Sequence, residues 1–517
     1  MSRPLVIAIL DGFGIASTYD GNVVAQAKMS NLEVITAAGV ATELNASGAA
    51  VGLLDGEAGN SEAGHMNLGA GRVVEQQVRR ITSDIQNGTF FKNEALHVAA
   101  KHAQENGGRL HLMGLLSTAE SPHSNPEHLA ALRKFCNEQH IAHVFLHFFT
   151  DGRDSSPTAG AKFVRDLSAS LQPNERIVTV MGRSYAMDRK KDWKRIKLAY
   201  AALVNGEGRH EADAVQAVED AYKDGETDEF IEPTIIGDDN KEGRINDGDA
   251  VIFFNFRPDR ARELSKAFIE PNFEQKDEGA FTVHCFEKLC FVTLVDYGPS
   301  LSAARFCYPE IVVAETLPVV LSKFRQLYVA ESEKFAHVTY FFNGGHPGAV
   351  AGEEQRRILS PDVVRYAEKP SMAASEITDV VIEAITKDTA DVIVFNFANA
   401  DMLGHTGNIE AAVQGIEEID SCLGQIDSAL SKTSGYLVVT ADHGNVEKML
   451  ADDGTPMTKH TDSLVPFIVR AYGETVLPGT ALKSGGALSD VAPTILKLLA
   501  TPPSSLMTGK SLWADQS

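Results

Sequence analysis

Short apolar runs alternate with amphipathic stretches along almost the whole chain. The runs at 5–10, 110–116, 144–149, 177–181, 250–256, 291–295, 392–397 and 436–440 read as buried strands. Between them, 127–138, 159–170, 193–204, 375–386 and 410–431 read as helices. Repetition of strand then helix predicts an α/β protein with largely parallel sheets covered on both faces. No short repeat and no Pro-rich or low-complexity linker interrupts the pattern.

Function in such sheets gathers just beyond the C-terminal strand ends, and polar clusters fall there repeatedly. Asp11 follows 5–10, Asp151-Gly152-Arg153-Asp154 follows 145–149, and Gly182-Arg183 follows 178–181. Arg257 follows 251–256, Asp401 follows 392–397, and Asp442-His443 follows 437–440. Acids and imidazoles lie toward both chain ends and arginines in the middle. If the two ends build one metal site, the middle is a second α/β domain inserted into the first. The expected division is 1–75 with 312–517 for the metal domain and 76–311 for the insert.

Composition sharpens this picture. At 517 residues two domains are expected, and 44% hydrophobic with 23% charged residues is globular. A net charge of −23 argues against nucleic acid or an anionic membrane as a general partner. No 18-residue apolar run offers a membrane span. The apolar run after Met1-Ser2-Arg3-Pro4 is too short for a signal peptide's core. Five scattered cysteines suit reduced thiols, so a cytoplasmic protein is expected.

The densest chemistry is near the C-terminus: Asp401-Met402-Leu403-Gly404-His405, then Ala441-Asp442-His443-Gly444, then Lys459-His460-Thr461. Taken singly, these read as a surface Asp with a capping His, an Asp turn closed by a positive-φ glycine, and an ordinary histidine. Together, two carboxylates and three imidazoles form the ligand set of a divalent ion such as Mn, Co or Zn. They exceed what one open catalytic ion takes, so two ions acting on a phosphoryl group are the natural reading. In Gly59-Asn60-Ser61-Glu62-Ala63-Gly64-His65, Ser61 is either a helix cap or a hydroxyl presented to an anion. With no triad in sight, metal coordination is the route that would activate it. The arginines of Asp151-Gly152-Arg153-Asp154, Gly182-Arg183 to Arg189, and Asn255-Phe256-Arg257-Pro258-Asp259-Arg260 would grip a small phospho-acid if they converge. His123 is a loop residue or a substrate contact. Gly344-Gly345-His346-Pro347-Gly348 lacks the Lys-Ser/Thr of a P-loop and reads as a flexible turn.

These segments, with Leu10-Asp11-Gly12-Phe13-Gly14 and Glu333-Lys334-Phe335-Ala336-His337, resemble the cofactor-independent phosphoglycerate mutases of the alkaline phosphatase superfamily. They occur in that family's order across nearly the whole chain. Ala63, His460-Thr461-Asp462-Ser463-Leu464 and the 345–355 region depart from its usual form without removing a chemical group. The resemblance implies an isomerase that interconverts 3-phosphoglycerate and 2-phosphoglycerate without 2,3-bisphosphoglycerate, through a phosphoserine on Ser61. It implies one metal on Asp401, His405 and His460, and another on Asp11, Ser61, Asp442 and His443, with manganese expected ahead of cobalt or zinc. Lys334 would offset phosphoryl charge. His123, Arg153, Asp154, Arg183, Arg189, Arg257 and Arg260 would hold substrate, with Asp154 also moving a proton. A monomer is implied, and domain closure would exclude water. The competing readings are a two-metal phosphohydrolase of the same superfamily and a catalytically silent metal-binding scaffold.

Overall fold

Strand Leu5–Leu10 is buried at all six positions and lies between Val392–Phe397 and Gly435–Thr440, parallel to both. Such two-sided burial is why these segments read as unbroken apolar runs instead of alternating ones. The computed structural model describes residues 3–237, 241–451 and 453–514, so Met1 and Ser2 of the N-terminal segment lie outside the described residues. The chain divides into two compact units, Met1–Gln76 with Ile311–Ser517, and Gln77–Glu310. Each is mixed α/β and contains an eight-stranded sheet.

In the first unit, four parallel strands stand side by side in the order Gln326–Glu331, Val392–Phe397, Leu5–Leu10, Gly435–Thr440. Strand Val465–Tyr472 then runs antiparallel to Gly435–Thr440 and to Val40–Asn45. Helices cover the sheet. Ile409–Leu430 starts at Asn408, whose side chain accepts from the Ala411 amide at 3.0 Å, and it packs Ile416, Ile419, Leu423 and Ile426 into the core.

In the second unit the order Ala250–Phe253, Arg109–Leu116, His143–Thr150, Glu175–Gly182 is again parallel. Thr234–Ile236 is its antiparallel exception. The strand expected over 250–256 stops at Phe253. Beyond it, the Asn255 side chain accepts from the Leu115 amide at 2.9 Å, and Tyr297 donates to the Asn255 carbonyl at 2.7 Å. The Phe254 amide still bonds to Met113 O at 2.9 Å, and beyond it these side-chain bonds replace the ladder as the chain enters the loop that carries Arg257.

The Gly344 and Gly345 turn has both glycines at positive φ, and is pinned by Val313 donating to Gly344 O at 2.7 Å. Trp193 is buried as core, and the five cysteines are unpaired. Among the described residues, no helix is long and apolar enough to cross a membrane.

Candidate active site

The four adjacent strands of the first unit each end in a chemical group. Lys334 follows Gln326–Glu331, Asp401 follows Val392–Phe397, Asp11 follows Leu5–Leu10, and Asp442-His443 follow Gly435–Thr440. Adjacency in the sheet therefore gathers residues up to 430 positions apart, as Gly12 N donating to Asp442 Oδ1 at 3.2 Å shows. Gly12 is at φ +76°, and a Cβ there would strike the Asp401 backbone, so only glycine lets the two loops meet.

Ser61 opens helix Ser61–Ala70 without capping it. Asn60 is the cap, accepting from the Ala63 amide at 2.9 Å, and this leaves the serine hydroxyl uncommitted to the backbone. Ser61 Oγ lies 3.2 Å from Asp11 Oδ1, 2.9 Å from His443 Nε2 and 2.8 Å from Lys334 Nζ. The Lys334 ammonium spends its other donors on Asp11 Oδ1 at 2.5 Å and Asp401 Oδ2 at 2.6 Å. Burial would raise Asp11 and Asp401, but the Lys334 charge holds both well below the ordinary carboxylate range. Burial would likewise lower Lys334, but Asp11, Asp401 and Asp442 raise it above its usual value. Burial works against His443 too, yet Asp442, Asp11 and Asp401 lift it to about 9.

The donor set fits divalent cations. Asp11, Asp401 and Asp442 are all buried, Lys334 pairs with Asp11 and Asp401, and the remaining negative charge falls to histidines that a bound cation would keep as neutral ligands. His405 and His460 commit Nδ1 to the carbonyls of Thr458 and Gly59, at 2.8 and 2.9 Å. Their Nε2 atoms then face each other at 3.1 Å and Asp401 Oδ1 at 3.2 and 3.1 Å. Three electron-rich atoms so close call for a shared positive charge, with the carbonyls orienting the rings. Among the described residues, two groups have metal-ligand spacing: Asp401, His443 and His460, and Asp11, His65 and Asp442. Asp442 Oδ2 is buried without a hydrogen-bond partner.

The geometry thus gathers Asp11, Ser61, Lys334, Asp401, His405, Asp442, His443 and His460 in one place. It places His443 between the two groups, its ring 4.0 Å from that of His460. It also adds residues not anticipated as site members. His65 Nδ1 donates to Ser61 O at 2.9 Å and approaches Asp442 Oδ2 at 3.1 Å. Asn396 Nδ2 reaches Asp11 Oδ2 at 2.7 Å and His65 Nε2 at 3.1 Å. The four-residue spacing of Ser61 and His65 on one helix face was the available signal for His65; Asn396, inside an apolar run, carried none. Gly444 also differs from the simple turn reading. Its φ is not positive, and what it supplies is space beside Thr461 and Glu447.

In the second unit the arginines converge, as the phospho-acid reading requires. Arg183 Nη1 donates to Asp151 Oδ1 at 2.6 Å and Asp154 Oδ2 at 2.5 Å. Asp259 takes Arg189 at 2.9 Å and Arg257 at 3.1 Å, and lies 3.9 Å from His123 Nδ1. Burial, with Arg189, Arg183 and Arg153 nearby, lowers Arg260 to about 10. Burial also holds His123 well below its ordinary value, opposed by Asp259 and reinforced by Arg183, Arg257 and Arg260. Arg260, lowered by burial and by its cationic neighbours, sits in surroundings that favour an anion. Arg153, whose charge also acts on Arg260, is half-exposed and lies 3.7 Å from Glu229.

A mixed α/β chain that sets a serine among carboxylate and imidazole ligands belongs to the class of metal-assisted group-transfer enzymes. The model of the family described as BPG-independent PGAM N-terminus matches residues 81–299. A 2,3-bisphosphoglycerate-independent phosphoglycerate mutase of Clostridium perfringens (strain ATCC 13124) is 44% identical over 516 residues, covering 99% of each chain. The protein of that name from Moorella thermoacetica is 43% identical over 519 residues, covering 99% of this chain and 98% of its own. The crystal structure of Leishmania mexicana phosphoglycerate mutase at low cobalt concentration superimposes with a TM-score of 0.81 at 30% identity, covering 99% of this chain and 98% of its own. The chain belongs to the family of 2,3-bisphosphoglycerate-independent phosphoglycerate mutases.

Proposed function

We propose that this chain interconverts 3-phosphoglycerate and 2-phosphoglycerate without 2,3-bisphosphoglycerate, as an isomerase of glycolysis and gluconeogenesis. The observation that carries the reading is Ser61 Oγ, held within 3.2 Å of Lys334, His443 and Asp11 at a helix N-terminus. Asp401, His405 and His460 would hold one divalent ion and Asp11, Ser61, Asp442 and His443 another, with manganese ahead of cobalt or zinc. When bound, such ions lower the pKa of a hydroxyl and offset phosphoryl charge.

The chain's own groups divide the remaining work. Ser61 Oγ, deprotonated before each turnover and again after it, attacks the phosphorus of 3-phosphoglycerate, an O–P bond forming there as the one to the 3-oxygen breaks. Asp154 carries the proton needed by the released 3-oxygen. Lys334, with its donors aimed at the serine and its neighbours, stabilises charge on the transferring group. His123, Arg153, Arg183, Arg189, Arg257 and Arg260 retain glycerate until its 2-hydroxyl takes the phosphoryl back from Ser61, giving its proton to Asp154. The 77–310 unit is thus the phosphoglycerate-binding part and the remainder the metal-binding part, in a cytoplasmic monomer.

A coupled assay with 3-phosphoglycerate, manganese and no 2,3-bisphosphoglycerate tests the proposal. Formation of 2-phosphoglycerate supports it. Release of inorganic phosphate with no 2-phosphoglycerate would instead mark a phosphohydrolase.

A further inference from the structure

Glu447 stands outside both metal-ligand groups, yet it bonds to three of the segments that carry them. It is fully buried, on the short turn Val446–Lys448 that follows Asp442-His443-Gly444-Asn445. Its Oε2 accepts from the Gly14 amide at 3.1 Å and the Asn445 amide at 2.8 Å. Its Oε1 accepts from the Thr461 hydroxyl. Gly14 ends the loop that begins at Asp11. Thr461 adjoins His460 and donates its amide to Gly444 O at 3.0 Å. Asn445 also donates through Nδ2 to Asp401 Oδ1 at 2.9 Å. One carboxylate therefore ties together the segments bearing Asp11, Asp442-His443 and His460, and reaches Asp401 through Asn445. A Cβ at Gly14 or at Gly444 would collide with this carboxylate, and neither glycine is at positive φ. Both are glycines because the clasp needs the space.

We infer that Glu447 is a positioning residue that sets the spacing of ligands in both metal groups. The inference rests on the two-metal reading and assigns that site's geometry to a residue touching neither ion. Outer groups that orient ligands commonly change metal affinity about 10–100-fold when removed. A buried carboxylate serving folding alone would change stability and leave affinity as it was.

Manganese binding to the full chain, followed by electron paramagnetic resonance, separates these cases. Wild-type protein is expected to bind two ions. Glu447→Ala should weaken both by about 10–100-fold, while Asp442→Asn should weaken mainly one. Glu447→Gln should restore affinity to within about threefold of wild type, since its carbonyl can accept from both amides and Thr461 can turn to accept from its NH₂. Thr461→Val should weaken binding about fivefold, the worth of one hydrogen bond, and should add less than twofold to Glu447→Ala. A folded Glu447→Ala protein that binds both ions as tightly as wild type would overturn the inference alone. If that variant does not fold, wild-type affinity in Thr461→Val overturns it equally. A wild-type chain that binds no manganese would overturn the metal reading as well.

Discussion

Lys334 shows how much a single side chain can decide. Its ammonium is the cation shared by Asp11 and Asp401 and it also touches Ser61. Lys334→Ala leaves two buried carboxylates facing each other, and breaking a buried pair in this way costs about 3–5 kcal/mol. Urea unfolding in a chelating buffer should show that loss, and added manganese should recover part of it. Stability equal to wild type under chelation would contradict the arrangement. Lys334 and Ser61 were legible in the sequence because short local strings carry them. Asn396 and Glu447 were not, because their meaning lies in partners 385 and 433 residues away.

At the scale of elements, the apolar runs located the central strands well, with Leu5–Leu10 and Val392–Phe397 falling where the pattern put them. Gln326–Glu331 escaped because polar residues bound it. Gln326 is nevertheless buried, its amide donating to Pro318 O at 2.9 Å. Val465–Tyr472 escaped because Pro466 reads as an edge or a break; here the proline is the strand's second residue.

Strands also bury polar groups that sequence periodicity hides. His111, His147 and Thr179 sit on three adjacent strands and bond in series at 2.9 Å each, with Asp249 and Arg109 at the far end. Burial holds both histidines below their ordinary value, and it takes His128 to about 3, opposed only by its link to Val78. Below pH 6.5 the unfolded chain binds protons that these buried rings refuse, so stability is full above that pH and falls as pH drops toward 3. Between pH 7 and 5 His128 contributes a loss of about 2 kcal/mol. His128→Asn should reduce the pH dependence of urea unfolding by about that amount. An undiminished dependence would show that His128 is not held neutral.

Across the whole molecule, the proposed reaction divides labour between the two units. Arg260→Ala should raise the KM for 3-phosphoglycerate about 10–100-fold, the worth of a charged hydrogen bond, with manganese content unchanged. His405→Ala or His460→Ala should lower manganese content by elemental analysis. A loss of metal in the arginine variant, or full metal in the histidine variants, would contradict the division. Strand-end clusters at both ends and in the middle are the sequence signal from which that division is expected, since strand adjacency brings far segments together.

The central claim is that the phosphoryl group passes through Ser61. Acid quenching of the manganese-loaded protein during turnover of 3-phosphoglycerate, followed by mass spectrometry of the peptide containing Ser61, tests it most directly. The account predicts phosphate on Ser61 in wild-type protein, and in Ser61→Ala neither phosphopeptide nor 2-phosphoglycerate, with metal still bound. Formation of 2-phosphoglycerate by Ser61→Ala at the wild-type rate would contradict it.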